Sequence, residues 1–145
     1  MSIFKTSRIF AATPQAVYAA FEAPDCLARW WGPDGFHSTF DVFEFKSGGQ
    51  WRFTMHGPNG ATYPNESTFV HIEPARKIVV RHSSLPHFQL TIGLEGQGSG
   101  TFVTWEQAFD SPEVAASLQH ICEPANEQNL TRWQAVVAER GAPPV

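Results

Sequence analysis

Hydrophobic residues recur at helical spacing near the start of the chain. Thr13 and Pro14 form a typical helix start, with threonine as the N-cap and proline in the first turn. We predict that Pro24 ends this helix and that Asp25 caps a second short helix, which carries two adjacent tryptophans. The apolar positions of the first helix share one face, and they are Ala16, Val17, Ala20 and Phe21.

Beyond the second helix the hydrophobic period changes to two, which indicates β-strands with one buried face. Short turns rich in glycine, proline, asparagine and serine separate these segments, and such turns join antiparallel neighbours. We therefore predict an opening strand at 3–10 and a meander of six further strands, at 36–45, 50–56, 62–72, 77–82, 88–95 and 101–109.

The C-terminal part of the chain returns to helical spacing. Ser111 and Pro112 mark a helix start, and Pro124 predicts either a kink or a division into two helices. The stronger helical pattern covers 124–140, with Gly141 as its predicted C-cap. Its apolar stripe consists of Leu130, Trp133, Val136 and Val137.

The predicted order is one strand, two short helices, six strands and a long helix. This order predicts an α+β fold in which a curved seven-stranded antiparallel sheet wraps around the long C-terminal helix. A helix of about 25 Å can cover the apolar face of such a sheet, and a cavity can remain between the two layers. We expect a single domain over 1–141, followed by a short tail over 142–145.

The composition narrows the class of protein. The 145 residues are 42% hydrophobic and 13% aromatic, which favours a packed globular domain. The net charge is −4 and no run of Lys or Arg occurs, so nucleic acid and anionic membranes are unfavourable partners. No apolar run reaches the roughly 18 residues of a membrane span. Because Cys26 and Cys122 are far apart and no signal-peptide core is present, we predict free thiols and a cytoplasmic location. We expect a monomer or a homodimer.

Aromatic residues concentrate in two blocks that predict the lining of an interior. The first block runs from Arg29 to Phe36 and contains adjacent tryptophans before a Gly-Pro-x-Gly turn. Such large rings are usually buried or line a cavity. In the second block a Gly-Gly turn precedes three apolar residues on one strand face. Two roles stay open for both blocks, ligand contact and simple packing, and the candidate ligand-binding residues are Trp30, Trp31, Phe36, Trp51, Phe53 and Met55.

Further candidates lie on the fourth strand and on the last helix. Strand alternation groups Phe69 with His71, opposite Val70 and Ile72, and leaves open which face these two candidates occupy. If His71 pointed inward, its imidazole could orient a ligand carbonyl or carboxylate. The candidates on the helix face that should meet the sheet are Leu130, Trp133 and Val137.

The sequence predicts neither a metal site nor a cofactor. No histidine pair has the i, i+4 helical spacing of a zinc site, and no cysteine stands beside a histidine. The glycines Gly96, Gly98 and Gly100 resemble a phosphate-binding loop, but such a loop is followed by a helix. Here a strand follows, so this segment is predicted to be a hairpin turn.

Together these motifs resemble a known family. They are similar to the bacterial proteins related to the C-terminal domain of activators of the heat-shock protein 90 ATPase, in the START-like (SRPBCC) superfamily. The resemblance implies the helix-grip fold and an interior that in other members binds lipids, hormones, polyketides or other apolar molecules. The matching blocks are Ala12-Thr13-Pro14-x-x-Val17-Tyr18-x-Ala20-Phe21, Trp30-Trp31-Gly32-Pro33-x-Gly35-Phe36, Gly48-Gly49-x-Trp51-Arg52-Phe53, Glu73-Pro74 with Ile78, and Asn129-Leu130-x-Arg132-Trp133.

Two features depart from the commoner pattern of this family. Its basic-Pro-Gly-Gly turn is Lys46-Ser47-Gly48-Gly49 here. The resemblance also assigns no role to the histidines at 56, 71, 82 and 87.

Three functions are compatible with the sequence. In the first, the protein binds a small apolar or aromatic molecule in the cavity, with His71, Arg52 or the Trp133 indole orienting it. In the second, it is an enzyme acting on a hydrophobic substrate there, which would need an inward acid or base with a perturbed pKa. In the third, which the resemblance suggests, it is an interaction module with a chaperone partner and an exposed surface patch.

Overall fold

The structure is a computed structural model that describes residues 2–141. It confirms the predicted order of elements, while the predicted tail at 142–145 lies outside the described residues. No helix in the described part of the chain is long and apolar enough to cross a membrane. The elements are β1 (Ile3–Phe10), α1 (Pro14–Glu22), α2 (Pro24–Trp30), β2 (His37–Phe43), β3 (Gln50–His56), β4 (Thr62–Glu73), β5 (Lys77–His82), β6 (Phe88–Gln97), β7 (Gly100–Phe109) and α3 (Pro112–Gly141).

The seven strands form one antiparallel sheet in the order β1-β7-β6-β5-β4-β3-β2. Strands β2 to β7 are a meander, and β1 pairs with β7 along its whole length, from Ile3 opposite Ala108 to Phe10 opposite Thr101. The sheet is curved and α3 lies against its concave face, so the predicted α+β helix-grip fold is confirmed. This arrangement places the sheet's inward residues against one long helix.

A bulge in β4 decides which side chains of that strand face inward. Phe69 pairs with Val80 and His71 pairs with Val79, so Val70 is an extra residue in the ladder. An extra residue shifts the alternation of faces by one position. Phe69 is therefore buried, Val70 and His71 are both exposed, and Ile72 returns to the core.

The two short helices begin differently from each other. The side chain of Thr13 accepts a hydrogen bond from the Ala16 N–H at 3.2 Å, which confirms the predicted N-cap of α1. The prediction that Asp25 caps α2 is wrong, because Ala23 occupies the N-cap position without a side-chain hydrogen bond. Pro24 starts that helix, and Asp25 lies in its first turn, where a carboxylate favours the positive end of the helix dipole.

Helix α3 continues without interruption through Pro124, so the alternative of two separate helices is wrong. The proline lies at an exposed position of a helix about 45 Å long. The first half of α3 covers a small cluster built on Phe4, Phe109 and Ala115. The second half covers the main core with Leu130, Trp133, Val136 and Val137.

Candidate ligand-binding interior

Eight aromatic side chains meet between the sheet, α1, α2 and α3, and we call them the aromatic cluster. Trp30 and Trp133 stack with parallel planes and ring centroids 4.7 Å apart, which joins α2 to α3. Trp51 stacks on Phe69 at 5.4 Å across neighbouring strands. The members of the cluster are Phe21, Trp30, Trp31, Trp51, Phe53, Phe69, Trp105 and Trp133. All five tryptophans of the chain therefore belong to one aromatic interior.

Trp31 is the only partly exposed member of the aromatic cluster among the described residues. Its ring lies 4.8 Å from that of Trp51 and 5.8 Å from that of Trp105, measured between centroids. It also contacts Trp30 at 5.8 Å and Phe53 at 6.4 Å. The Trp31 side chain is thus the boundary between the buried rings and solvent.

The backbone around Trp31 is held by a single arginine of α3. Both terminal nitrogens of Arg132 donate to main-chain carbonyls of α2 and of the segment between α2 and β2, at 2.5 to 2.7 Å. Burial lowers the pKa of the Arg132 guanidinium, and the nearby Asp34 carboxylate partly offsets this effect. The four accepting carbonyls belong to Arg29, Gly32, Pro33 and Phe36.

Two further side chains of α3 hold the same segment through its N–H groups. The Gly32 N–H donates to Asn129 Oδ1 at 2.8 Å, and the Asp34 N–H donates to Gln128 Oε1 at 3.0 Å. Because residues three or four apart share a helix face, Asn129 can hold this segment while Trp133 stacks on Trp30. This contact explains why the Trp-Trp-Gly-Pro block and the Asn-Leu-x-Arg-Trp block occur in one sequence.

Both the backbone conformation at position 32 and the close packing of its neighbours require a glycine there. Its φ angle is 109°, a conformation that residues with a Cβ rarely adopt. A Cβ at this position would lie 2.7 Å from the Met55 methyl carbon and 3.2 Å from the Phe36 Cβ. Met55 therefore packs directly against the segment that carries Trp31.

The four buried indoles differ in their hydrogen bonding. The Trp30 N–H donates to the Ala20 carbonyl at 3.0 Å, and the Trp133 N–H donates to the Val17 carbonyl at 3.1 Å. The N–H groups of Trp51 and Trp105 have no acceptor in residues 2–141, although these side chains are only 1% and 2% exposed. The hydroxyl of the buried Ser38 is also without a partner in that range.

Most of the predicted site residues come together in this interior. Six of them belong to the aromatic cluster, namely Trp30, Trp31, Trp51, Phe53, Phe69 and Trp133. Leu130 and Val137 are buried in the same core, and Met55 packs against it. Whether any of these side chains contacts a ligand stays a prediction.

Phe36 and His71 lie apart from the cluster. Phe36 packs against the half-exposed ring of Tyr63, with centroids 6.0 Å apart. His71 faces outward because of the β4 bulge, and its Nε2 lies 3.0 Å from the Glu73 carboxylate. His71 therefore cannot orient a molecule held between sheet and helix, and this part of the prediction is corrected.

Sequence reasoning missed three residues of the interior. Phe21 appeared only as part of a helical stripe, yet its ring contacts five other members of the cluster and also Phe45. Trp105 lies in a strand without a distinctive motif, so strand alternation was the only indication that it faces inward. Arg132 stood in a family motif, but nothing in the motif indicated that it binds four carbonyls.

Charged groups are scarce in the interior. Within residues 2–141, no Asp, Glu, Lys or Arg belongs to the buried set, and no group of three or more potential metal ligands is close enough to hold an ion. The buried His82 lies outside the aromatic cluster, between Asn65 Oδ1 at 2.6 Å and the Pro86 carbonyl at 2.7 Å. Burial is the main reason why the pKa of His82 is lowered.

Two surface depressions lie outside the aromatic cluster. The larger is open to solvent, has a volume of about 750 Å³, and is lined mainly by the β4–β5 turn, 73–77, and by 93–96 of β6. The smaller, of about 30 Å³, lies between β1 and α3. No tryptophan lines either depression.

Comparison with solved structures supports the fold independently. A protein from Arthrobacter aurescens is 26% identical with a TM-score of 0.88, covering 95% of this chain and 87% of its own. A protein from Nitrosomonas europaea is 17% identical with a TM-score of 0.87, covering 95% of both chains. The AHSA1 protein from Silicibacter pomeroyi is 22% identical with a TM-score of 0.78, covering 95% of this chain and 99% of its own. The last two similarities concern the fold alone.

A comparison with curated proteins finds no match. The sequence does match one family model, described as Activator of Hsp90 ATPase homolog 1-like protein, over residues 11–138. The match includes α1, the Trp31 segment, the whole meander and most of α3. The chain therefore belongs to the family of Activator of Hsp90 ATPase homolog 1-like proteins.

Proposed function

We propose that the protein binds a small apolar or aromatic molecule between the sheet and α3, with the Trp31 side chain as the movable wall of the site. The observation that carries this proposal is the position of Trp31. Its ring is partly exposed, contacts both Trp51 and Trp105, and stands on a backbone segment that Arg132 holds. Rotation of one side chain, without movement of the segment, would therefore open a path to the buried rings.

The chemistry of the interior selects the class of ligand. Aromatic faces and edges surround Trp31, and flat apolar molecules pack well against such surfaces. A buried charge would need a partner, and the described interior offers no buried acidic or basic side chain for that purpose. The part of the ligand that enters would therefore be uncharged.

The proposal is tested first by native mass spectrometry of freshly purified protein, with extraction of any bound molecule. The protein is then titrated with fatty acids, sterols and naphthalene derivatives while its unfolding temperature is measured. A ligand that binds only the folded state raises this temperature as its concentration rises. We expect such a shift for at least one flat apolar compound.

Two variants separate entry past Trp31 from binding elsewhere. In Trp31→Ala the movable wall is absent, so we expect faster association and a changed affinity for the same compound. Tyr63→Ala is the matched control, because Tyr63 is a half-exposed ring that contacts Phe36 outside the aromatic cluster. This control should leave association and affinity as in the wild type.

The other functions correspond to other outcomes. Turnover of a bound molecule during incubation would identify an enzyme. The absence of any co-purified molecule, together with no temperature shift across the whole panel, would overturn the binding proposal. That result would direct attention to a chaperone or another protein as the partner.

A further inference from the structure

We infer that the ligand presents an uncharged carbonyl group to the indole N–H groups of Trp51 and Trp105. This inference rests on the proposed function and specifies the chemistry of the same site. Such a site would bind ketones, esters, amides or lactones more tightly than hydrocarbons or carboxylates of the same shape.

The two indole N–H groups without acceptors are energetically unfavourable. A buried donor without an acceptor destabilises the folded state, so folded proteins satisfy nearly all such groups. Trp51 and Trp105 both have an indole N–H in this condition. They lie on strands β3 and β7, which are not neighbours in the sheet, so the two cases are separate.

The other two buried indoles do have acceptors for their N–H groups. Trp30 and Trp133 donate to the carbonyls of Ala20 and Val17, both in α1. These two tryptophans are therefore structural, since their donors hold α1 in place. Among the buried indoles of residues 2–141, the unpartnered donors are those of the two tryptophans that contact Trp31 in strands β3 and β7.

Trp31 lies beside both tryptophans whose N–H groups are unpartnered. It is the ring that contacts both Trp51 and Trp105, and an aromatic face is a much weaker acceptor than a carbonyl oxygen. With Trp31 rotated outward, we expect the carbonyl oxygen of the ligand to take the place of its ring and to accept from these donors. The hydroxyl of Ser38 is a third buried polar group without a partner in the described part of the chain. Ser38 lies opposite Met55 in the sheet, and Met55 packs on Gly32, next to Trp31 in the chain.

A charged acceptor would be unfavourable in this interior. A carboxylate entering this interior would need a cation beside it. Arg132 donates to backbone carbonyls on both sides of Trp31 in the chain, and its two terminal nitrogens already serve four carbonyls. An indole is a donor only, so its partner must be an acceptor, and without a cation nearby the acceptor that fits is the oxygen of a neutral carbonyl.

The test compares two ligands of almost equal shape, 2-acetylnaphthalene and 2-ethylnaphthalene, by isothermal titration calorimetry. A purely apolar site would favour the ethyl compound by about tenfold, because the carbonyl loses its hydrogen bonds to water. We expect the opposite order, with the acetyl compound binding more tightly. Tighter binding of the ethyl compound would overturn the inference while leaving the proposed function intact.

A measurement on the wild-type protein does not depend on any variant. The indole N–H resonances of Trp51 and Trp105 should move downfield with the acetyl compound relative to the ethyl compound. Identical resonance positions with both ligands would contradict the inference. If neither compound binds and the wider panel also fails, the proposed function itself is overturned.

Two variants assign the effect to the donors. Trp51→Phe and Trp105→Phe each keep an aromatic ring but remove the N–H, and each should weaken acetyl binding by about tenfold relative to ethyl binding. Trp30→Phe is the comparison, because its N–H is bound to Ala20, and it should change both affinities by the same factor. Tightest binding of 2-naphthoate would contradict the uncharged carbonyl.

Discussion

Arg132 shows how much one side chain can contribute to a site without facing it. Its guanidinium is planar and presents donors at fixed angles, so it can bind carbonyls on both sides of one turn. Three carbonyls of the segment between α2 and β2 and one carbonyl of α2 accept from it. The position of Trp31 therefore depends on a residue about a hundred positions later in the chain.

We expect Arg132→Lys to lower the free energy of unfolding by about 2–4 kcal/mol, because an ammonium group cannot reach four separate carbonyls. Urea denaturation measures this loss. Arg29→Lys is the matched control, since Arg29 pairs with Glu139 at the surface, where both side chains are more than half exposed. The control should stay within about 0.5 kcal/mol of the wild type. Equal stability of the two variants would contradict the role assigned to Arg132.

His82 predicts a specific dependence of stability on pH. Its folded-state pKa is lowered, chiefly by burial, below the ordinary histidine value of about 6.5. The neighbouring His87 and Arg81 lower it further, while hydrogen bonds to the backbone at Pro86 and Ser84 oppose the shift. The unfolded chain thus binds a proton more readily than the folded protein, so stability falls as pH drops through 6.5.

We expect His82→Gln to remove this part of the pH dependence. Unfolding free energies of wild type and variant, measured from pH 8 to pH 5, give the difference between their slopes. The wild type should lose more stability than the variant below pH 6.5. Parallel profiles would show that His82 binds protons equally well in the folded and unfolded chains.

At the scale of elements, the turn before β3 depends on two adjacent glycines for different reasons. The Gly48 N–H donates to the Phe69 carbonyl at 2.6 Å, and the Phe69 N–H donates to the Gly49 carbonyl at 2.8 Å. These two hydrogen bonds therefore hold Phe69, a member of the aromatic cluster, next to the start of β3. Gly48 has a φ of 85° with open space around it, whereas a Cβ on Gly49 would collide with the Glu44 carbonyl oxygen.

We expect Gly49→Ala to destabilise the protein by at least about 3 kcal/mol, because the backbone of Glu44 must move. Gly48→Ala should cost only about 1 kcal/mol, which is the ordinary penalty for a left-handed residue with a Cβ. Thermal and urea unfolding of the two variants provide the comparison. A smaller loss for Gly49→Ala than for Gly48→Ala would show that the turn relaxes around the new Cβ.

Helix α3 contains a proline where helices usually avoid one. Pro124 cannot donate a backbone hydrogen bond, and its ring crowds the preceding turn. It is exposed, and it separates the half of α3 that covers the small cluster from the half that covers the main core.

We expect Pro124→Ala to raise the free energy of unfolding by about 1–3 kcal/mol, since the missing helical hydrogen bond is restored. Pro124→Gly should gain about 1 kcal/mol less, because glycine is a weaker helix former. Urea denaturation of both variants distinguishes these values. If Pro124→Ala is instead destabilising, the two halves of α3 need the local distortion in order to pack on the curved sheet.

At the scale of the whole molecule, the aromatic cluster connects every layer of the fold. Phe21 belongs to α1, Trp30 is the last residue of α2 and Trp31 follows it. Trp133 belongs to α3, and the remaining rings belong to the sheet. Such a core resists division into independent units, because removing one layer exposes rings of the others.

We therefore expect one cooperative unfolding transition. Tryptophan fluorescence reports on the cluster and far-UV circular dichroism reports on helix and sheet, so the two probes should have the same urea midpoint. A lower midpoint for fluorescence would show that the rings loosen before the secondary structure melts. That result would indicate that several rings of the aromatic cluster, and not only Trp31, move apart before the protein unfolds.

Much of this architecture could be predicted from local patterns. The Thr13-Pro14 start, the change of period after the second helix and the short polar turns predicted the order of elements and the meander. Each of these features depends on residues close together in the chain. Ala23, and not Asp25, occupies the N-cap position of α2, and the continuous α3 settles the choice that was left open at Pro124.

The amino-acid sequence by itself determined the family, the fold class and the concentration of tryptophans at an interior. The fold class follows from hydrophobic periodicity and turn chemistry, which act over a few residues, and the family follows from the resemblance of the aromatic and glycine motifs to those of known members. Only the tertiary structure decided that the β4 bulge turns His71 outward, that Arg132 holds the Trp31 segment, and that the Trp51 and Trp105 donors lack acceptors. The physical reason is that register and hydrogen-bond satisfaction depend on groups that meet only when distant strands and helices pack together.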